Sequence, residues 1–227
     1  MSQTIDGKEY GISELETIRL QQLDILKKEQ GNIDAICELV CADALLCEEY
    51  PKDMGPQWLN SDLCKEICRY MPAVLEIPDK LMMAENVCDR AADQLWSHPR
   101  LKLRLLEYQR EAIIAQGDCR SENAEMGIDD LSKEITRLQL NILAADQGRW
   151  DDITETRHLK RDPIEWSAAY EDIISEAQAK ANKKLRGFPR GMGFCHAYWP
   201  TLQRILLNDY KINWRHPGQM NPGVLFD

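Results

Sequence analysis

The sequence contains little valine and threonine and no long apolar run. Four Val and six Thr occur in 227 residues, with only three Phe. Strands favour β-branched and aromatic side chains, so this shortage disfavours a β-rich protein. Leu, Ala, Glu, Lys and Gln fill the periodic segments instead, and these residues are good helix formers. The composition therefore predicts an all-α fold.

Two further features are missing, and each excludes a class of protein. No apolar run approaches the ~18–20 residues of a membrane-spanning helix. The first residues, MSQTID, have neither the basic segment nor the apolar core of a secretion signal. We therefore expect a cytoplasmic protein without a membrane partner, whose eight cysteines stay reduced. A net charge of −10 disfavours nucleic-acid binding over the whole surface but leaves room for one basic face.

Apolar residues at helical spacing predict a series of helices separated by Gly and Pro. The predicted helices cover residues 11–30, 33–50, 58–70, 78–92, 101–115, 128–147 and 164–185, with a short one starting near Cys195. Residues 116–127 carry no periodic pattern and are interpreted as a linker.

Part of the sequence after this linker repeats the beginning of the chain. Residues 22–38 align with residues 139–155 at an offset of 117, and nine of the 17 aligned positions are identical. The tetrapeptide that starts at Trp96 also matches the one that starts at Trp214, both reading Trp-x-His-Pro. A period this long indicates two copies of a small domain rather than a solenoid.

The repeat predicts two tandemly duplicated helical domains of four to five helices each. They span residues 11–115 and 128–227, with 116–127 between them, and the second ends in an irregular Gly- and Pro-containing tail. Under this interpretation the two halves superpose, and Trp96 and Trp214 occupy equivalent places.

Two cysteine pairs, Cys37/Cys41 and Cys64/Cys68, each share a helix face, and four thiolates could hold zinc. Their spacing also resembles the twin Cys-x3-Cys pattern of small mitochondrial import chaperones, although the gap is longer and the chain far larger. In the second copy Cys64 and Cys68 correspond to apolar residues, which indicates that these thiols fill the core. We predict no metal site and no cofactor.

Catalytic motifs are scarce. The chain lacks a Walker loop, a nucleophile elbow, His-Glu-x-x-His and the dinucleotide-binding glycine fingerprint. Helical nucleotide pyrophosphatases carry paired acids on bundle helices, but only looser runs occur here, such as Glu48-Glu49 and Glu85 with Asp89. These runs are typical of a solvated helix face, and no catalytic residue is assigned.

The C-terminal segment differs from the rest of the chain in charge. Residues 178–227 hold eight Lys and Arg against two Asp, about +6, whereas the other 177 residues sum to about −16. Glycines at 187–193 let backbone amides turn towards an anion, and a following helix N-terminus adds partial positive charge. The alternative is a flexible turn with solvated bases, and Trp-x-His-Pro also has a structural interpretation, with Pro ending a helix.

The candidate anion- or partner-binding residues lie in and around this turn. They are Arg186, Gly187, Arg190, Gly191, Gly193, His196, Arg204, Arg215 and His216. We expect five of their bases to converge on the turn, namely Arg186, Arg190, His196, Arg204 and Arg215.

The last 40 or so residues, from Gly193-Phe-Cys-His-Ala-Tyr-Trp to Trp214-Arg-His-Pro and the closing Met220-Asn-Pro-Gly-Val-Leu-Phe-Asp, resemble the ending of small hypothetical proteins. Those proteins occur in gut-bacterial genomes and their mobile elements and phages. The resemblance covers under a fifth of the chain. It implies a bacterial or phage setting and no catalytic residues.

These observations favour a non-enzymatic, cytoplasmic interaction or structural protein that binds an anionic partner through its basic, aromatic C-terminal surface. A protein partner is expected, and homo-oligomers are compatible with the sequence. One alternative is a nucleic-acid-associated protein that uses residues 180–217. Another is a small helical, metal-dependent phosphohydrolase.

Overall fold

A computed structural model describes residues 4–5, 8–52, 56–117, 122–156 and 159–226. The helices are α1 Ile12–Lys28, α2 Ile33–Lys52, α3 Asn60–Leu75, α4 Leu81–Asp93, α5 Pro99–Gln116, α6 Glu122–Asp146, α7 Ala168–Lys184, α8 Phe194–Tyr210 and α9 Pro217–Met220. The two strands, β1 Thr4–Ile5 and β2 Lys8–Glu9, form one short antiparallel pair. The all-α prediction is therefore confirmed. Among the described residues no helix is both long enough and apolar enough to cross a membrane.

The chain divides into two compact units. Unit 1 contains Met1–Trp96 and Leu101–Thr136, and unit 2 contains Ser97–Arg100 and Arg137–Asp227. Counting Lys and Arg against Asp and Glu, unit 1 has 14 against 27, or −13, and unit 2 has 14 against 11, or +3. The positive charge of the C-terminal segment therefore belongs to a unit whose net charge is opposite to that of the other.

Helix α2 is the centre of unit 1, where it packs against α1, α3 and α4. Leu39, Val40 and Leu46 on this helix are fully buried. Asn32 caps its N-terminus, because the Asn32 Oδ1 atom accepts a 3.0 Å hydrogen bond from the Ala35 backbone N–H. An apolar helix with a polar cap is therefore the centre of unit 1, and the pattern of residues 33–50 predicts the helix itself.

Helix α3 continues through Pro72, where the sequence predicts its end. A proline inside a helix cannot donate to the carbonyl four residues earlier, which here belongs to Cys68. The hydroxyl of Tyr108, on α5, donates to that carbonyl at 3.5 Å. A side chain from another helix thus replaces the missing backbone donor, and α3 extends to Leu75.

Unit 1 also buries a carboxylate in the middle of α2. Asp43 is fully buried, and its Oδ1 atom accepts a 2.7 Å hydrogen bond from Arg19 Nε. The same guanidinium pairs with Glu66 on α3, whereas Asp43 Oδ2 accepts no hydrogen bond. Burial raises the pKa of Asp43 to about 7; Arg19 opposes this shift and Glu66 adds to it.

In unit 2, α7 and α8 pack together around a core that includes Tyr170, Ile174, Ile205 and Leu206. The predicted helix over 164–185 is interrupted: a 3-10 turn at Pro163–Trp166 precedes the extended residue Ser167, and α7 starts at Ala168. The Ser167 hydroxyl accepts a hydrogen bond from the Tyr170 N–H, so Ser167 acts as an N-cap within the predicted helix.

The structure does not show the duplication, which stays a prediction from the sequence. The positions aligned with α2 include two 3-10 turns, Trp150–Asp152 and Pro163–Trp166, and Leu159 is the single apolar residue of 154–162. Residues 154–156 and 159–162, the described part of this stretch, have no apolar stripe that a helix could bury and are not helical. The aligned Trp96 and Trp214 also differ, since Trp96 is 60% exposed and Trp214 is 4% exposed.

The predicted linker is partly helical. Helix α6 begins at Glu122, so residues 122–127 belong to it, and residues 118–121 lie outside the described residues. The sequence predicts that this helix starts at residue 128. Glu122, Ala124, Glu125 and Met126 are good helix formers, which accounts for its earlier start at Glu122.

Candidate functional site

A glycine-containing turn joins α7 to α8. It spans residues 185–193, and Gly187 and Gly193 adopt positive φ angles of 91° and 80°. Gly193 is the residue before α8, and its left-handed backbone reverses the chain into the helix. The turn is closed by a 3.0 Å hydrogen bond from the Phe194 N–H to the Gly191 carbonyl. Both glycines are therefore required by backbone conformation.

The turn is rich in exposed cations. No Asp or Glu occurs between Glu176 and Asp209 in the sequence. Lys183, Lys184 and Arg186 are exposed, and so is Arg190. Arg190 is positioned by its own side-chain contacts: Nη2 donates to Asn182 Oδ1 at 2.9 Å, and the guanidinium lies 5.4 Å from the centroid of the Phe194 ring. Positive charge is thus concentrated here without neighbouring acids in the sequence.

Three aromatic side chains form a row beside these cations. The ring centroids of Phe188 and Phe194 are 6.4 Å apart. The rings of Phe194 and Tyr198 are stacked, with centroids 5.8 Å apart. Burial raises the pKa of Tyr198 to about 12, so its hydroxyl stays neutral. Phe188, at the end of the row, is 51% exposed. We call Lys183, Lys184, Arg186, Phe188, Arg190, Phe194 and Tyr198 the basic aromatic surface.

A second aromatic cluster surrounds Trp199. His216 stacks on its ring with centroids 5.6 Å apart, while His196 and Phe226 meet it edge-on at 6.4 and 5.0 Å. Burial, and then the neighbouring His196, lower the pKa of His216. A Cβ atom on Gly218 would come within 3.3 Å of the His216 ring, so glycine leaves room for this stack. The cluster holds the C-terminal tail against α8.

Two buried carboxylates anchor the start of that tail. Trp214 Nε1 donates to Glu165 Oε1 at 2.7 Å, and Asp162 Oδ2 accepts hydrogen bonds from the Arg215 backbone N–H at 2.7 Å and from its Nε at 3.1 Å. Burial raises the pKa of Glu165 to about 7; the Trp214 N–H and Arg161 act in the opposite direction. Through these hydrogen bonds Trp214 and Arg215 fix the start of the tail to the segment that contains Asp162 and Glu165.

The predicted site residues have different surroundings. Five lie in the turn itself: Arg186, Gly187, Arg190, Gly191 and Gly193. His196 and His216 belong to the Trp199 cluster. Arg204 lies farther along α8, where its Nε donates to the Pro200 carbonyl, and Arg215 pairs with Asp162.

The sequence indicates a basic, aromatic C-terminal surface but did not lead us to assign Phe188 or the two anchoring acids. Phe188 could have been found, because it stands between Arg186 and Arg190 in the sequence. Asp162 and Glu165 could not, because their partners are 53 and 49 residues away.

The described cysteines are free thiols. Of the four paired cysteines, Cys37 and Cys64 are buried as expected, whereas Cys41 and Cys68 are partly exposed; Cys88 is also buried. The sulfur atoms of Cys47 and Cys64 lie 3.7 Å apart in the core. Burial raises the pKa of Cys88 well above its usual value. In the part of the chain that the structure describes, no three His, Cys, Asp or Glu side chains are grouped to hold a metal ion.

We expect the native protein to protect Cys47, Cys64 and Cys88 from iodoacetamide, since alkylation needs an accessible thiolate. Unfolding in urea should expose all three. Mass spectrometry of peptides from native and unfolded samples measures this, with the partly exposed Cys195 as the control. Rapid native labelling of the buried three would show that this core opens readily.

Three of the four acids considered for a hydrolase accept hydrogen bonds from side chains on other helices. Glu48 accepts two hydrogen bonds from Arg90, at 2.9 and 3.0 Å. Asp89 accepts one from Gln109 at 3.0 Å, and Glu85 one from Gln116 at 2.9 Å. Each of these carboxylates therefore has a structural hydrogen bond between helices of unit 1.

No protein-family model matches the chain, and comparisons with curated proteins and with solved structures find no similar protein.

Proposed function

We propose that this chain is a non-enzymatic, cytoplasmic interaction protein that binds an anionic partner through the basic aromatic surface. The supporting observation is the exposed group of cations at the end of α7 and on the turn before α8, with a half-exposed phenylalanine among them and no Asp or Glu between positions 176 and 209 of the sequence. Positive charge concentrated on one surface attracts polyanions even when the net charge is negative.

The surroundings of each base narrow the proposed surface. Arg215 is paired with the buried Asp162, and Arg204 lies outside the turn, farther along α8. Arg186 and Arg190 lie on the turn itself, four residues apart in the sequence, with Phe188 between them; Arg190 also donates to Asn182 within the same region. The two turn arginines are therefore the side chains that we assign to the partner.

The double variant Arg186→Ala/Arg190→Ala tests this assignment. We expect it to elute from a heparin column at a lower salt concentration than the natural protein, because two cations that face the polyanion are lost. The melting temperature should change by no more than about 2 °C, since surface substitutions shift stability by about 0.5 kcal/mol or less.

The matched control is Lys27→Ala/Lys65→Ala. It removes the same charge from unit 1, where both lysines are well exposed. We expect this control to elute close to the natural protein. Equal shifts for the two double variants would mean that net charge governs retention, and the proposed surface would then be wrong.

A further inference from the structure

The chemistry of the basic aromatic surface also bears on the kind of anion it binds. Phosphates and carboxylates both attract Arg and Lys, so charge alone does not separate a nucleic acid from an acidic protein. The aromatic row provides the distinction, because a nucleobase has a flat π-face that stacks on an aromatic ring and a carboxylate has none.

Phe188 is the ring available for such stacking. It is 51% exposed at the outer end of the row. The inner ring, Phe194, has the Arg190 guanidinium on one side and stacks with Tyr198. Phe194 and Tyr198 therefore support the row from within, and Phe188 can receive a ligand.

Exposed cations lie close to that ring in the sequence. Arg186 and Arg190 flank Phe188 in the sequence, and Lys183 and Lys184 precede them at the end of α7. An aromatic ring among cations lets one strand stack a base while its neighbouring phosphates are neutralised. In a duplex the bases are already stacked on each other, so such a ring suits unpaired bases.

We infer that the basic aromatic surface binds single-stranded nucleic acid, with a base stacked on Phe188 and the adjacent phosphates on Arg186 and Arg190. This inference rests on the proposed function and specifies the partner of the same surface. It assigns base stacking to Phe188 and phosphate neutralisation to the arginines. Replacing Phe188 should therefore change the affinity, whereas replacing the arginines should also change how the affinity depends on salt.

The test is fluorescence anisotropy of the full chain with a labelled oligo(dT) of about 12 nucleotides, a length within the usual site sizes. Affinity is measured between about 50 and 200 mM salt. Phe188→Ala should weaken binding about ten- to a hundredfold without changing the salt dependence, because a stacked base is lost. Phe188→Tyr should retain binding, since it keeps an aromatic ring.

The arginine variant should behave in the opposite way. Arg186→Ala/Arg190→Ala should make the negative slope of log K against log salt shallower by about 1.4, at about 0.7 per phosphate contact. Met82→Ala is the control for removing an exposed apolar side chain, since Met82 is 69% exposed in unit 1. It should leave affinity and slope unchanged.

Several results would overturn the inference. Binding of the matching duplex as tightly as the single strand, or no effect of Phe188→Ala, would exclude stacking. Poly-L-glutamate that displaces the oligonucleotide at equal charge would assign the surface to an acidic protein. Heparin retention that depends on Arg186 and Arg190, without oligonucleotide binding, would refute the inference and leave the proposed function standing. If heparin retention does not depend on Arg186 and Arg190 and the oligonucleotide does not bind, both the inference and the proposed function are wrong.

Discussion

Replacing Arg19 by alanine is expected to destabilise unit 1 by about 3–5 kcal/mol at about pH 8, because it leaves the buried Asp43 without its counter-ion. Asp43 is fully buried, and Arg19 also pairs with Glu66, so the substitution removes a cation that joins these two carboxylates. Urea unfolding followed by circular dichroism measures the loss.

The loss should be smaller at about pH 5. The pKa of Asp43 is already raised to about 7, mainly by burial, and removing Arg19 takes away an interaction that lowers it. A carboxyl group that has taken up a proton no longer needs a cation. In the natural protein this group stabilises the fold fully below its unfolded pKa of 3.8, and that contribution is lost as the pH rises towards 7.

Asp43→Asn is the matched control, because it keeps the shape of the side chain and removes its charge. The stability of this variant should depend less on pH between about 4 and 7 than that of the natural protein. In the double variant with Arg19→Ala, the loss caused by the arginine substitution should be smaller than in the natural background. An Arg19→Ala effect that is the same at both pH values would contradict a buried, titrating Asp43.

Trp214→Ala is expected to destabilise unit 2 by about 3–5 kcal/mol, since it opens a large cavity in the core. Trp214 is 4% exposed and packs within the α7–α8 core, and its indole N–H donates to the buried Glu165. Trp214→Phe keeps much of the apolar volume but removes the donor, and we expect about 1–3 kcal/mol for the unpaired acceptor. Thermal melts of both variants measure these effects.

Trp96→Ala is the comparison that the sequence repeat suggests. Trp96 aligns with Trp214 but is 60% exposed, so its replacement should cost less than about 1 kcal/mol. Equal losses at the two positions would show that both tryptophans support equivalent cores, and would favour the duplication. A small loss for Trp214→Ala would contradict the close packing of this tail.

Much of the helical content could be predicted because apolar spacing and polar caps are local signals. Asn32 at the start of α2 and the left-handed Gly193 before α8 are readable from the sequence. The continuation of α3 past Pro72 could not be predicted, because it depends on a hydrogen bond from the hydroxyl of Tyr108, which lies on another helix. In the sequence Ser167 cannot be distinguished from a residue inside a helix. It becomes an N-cap because a 3-10 turn precedes it.

The sequence located the candidate site, but it did not show which of its basic residues lie on the turn and which form structural contacts elsewhere. Arg190 and Arg215 look alike in the sequence, yet one lies on the turn and the other pairs with Asp162. Their partners are set by tertiary structure, which the local pattern does not encode. Asp43 did leave a signal, since it is the single charge in the apolar run 39–47.

The division of charge between the units, −13 in unit 1 and +3 in unit 2, affects how fast a polyanion can associate. At about 10 mM salt the Debye length is about 30 Å, so an approaching polyanion is repelled by the net charge of the whole chain. At about 150 mM the Debye length is about 8 Å, so a polyanion close to the turn is still attracted by the turn cations, while charges farther from it than this length are screened. Association should therefore be fastest at an intermediate ionic strength, and a salt-free buffer would conceal the attraction.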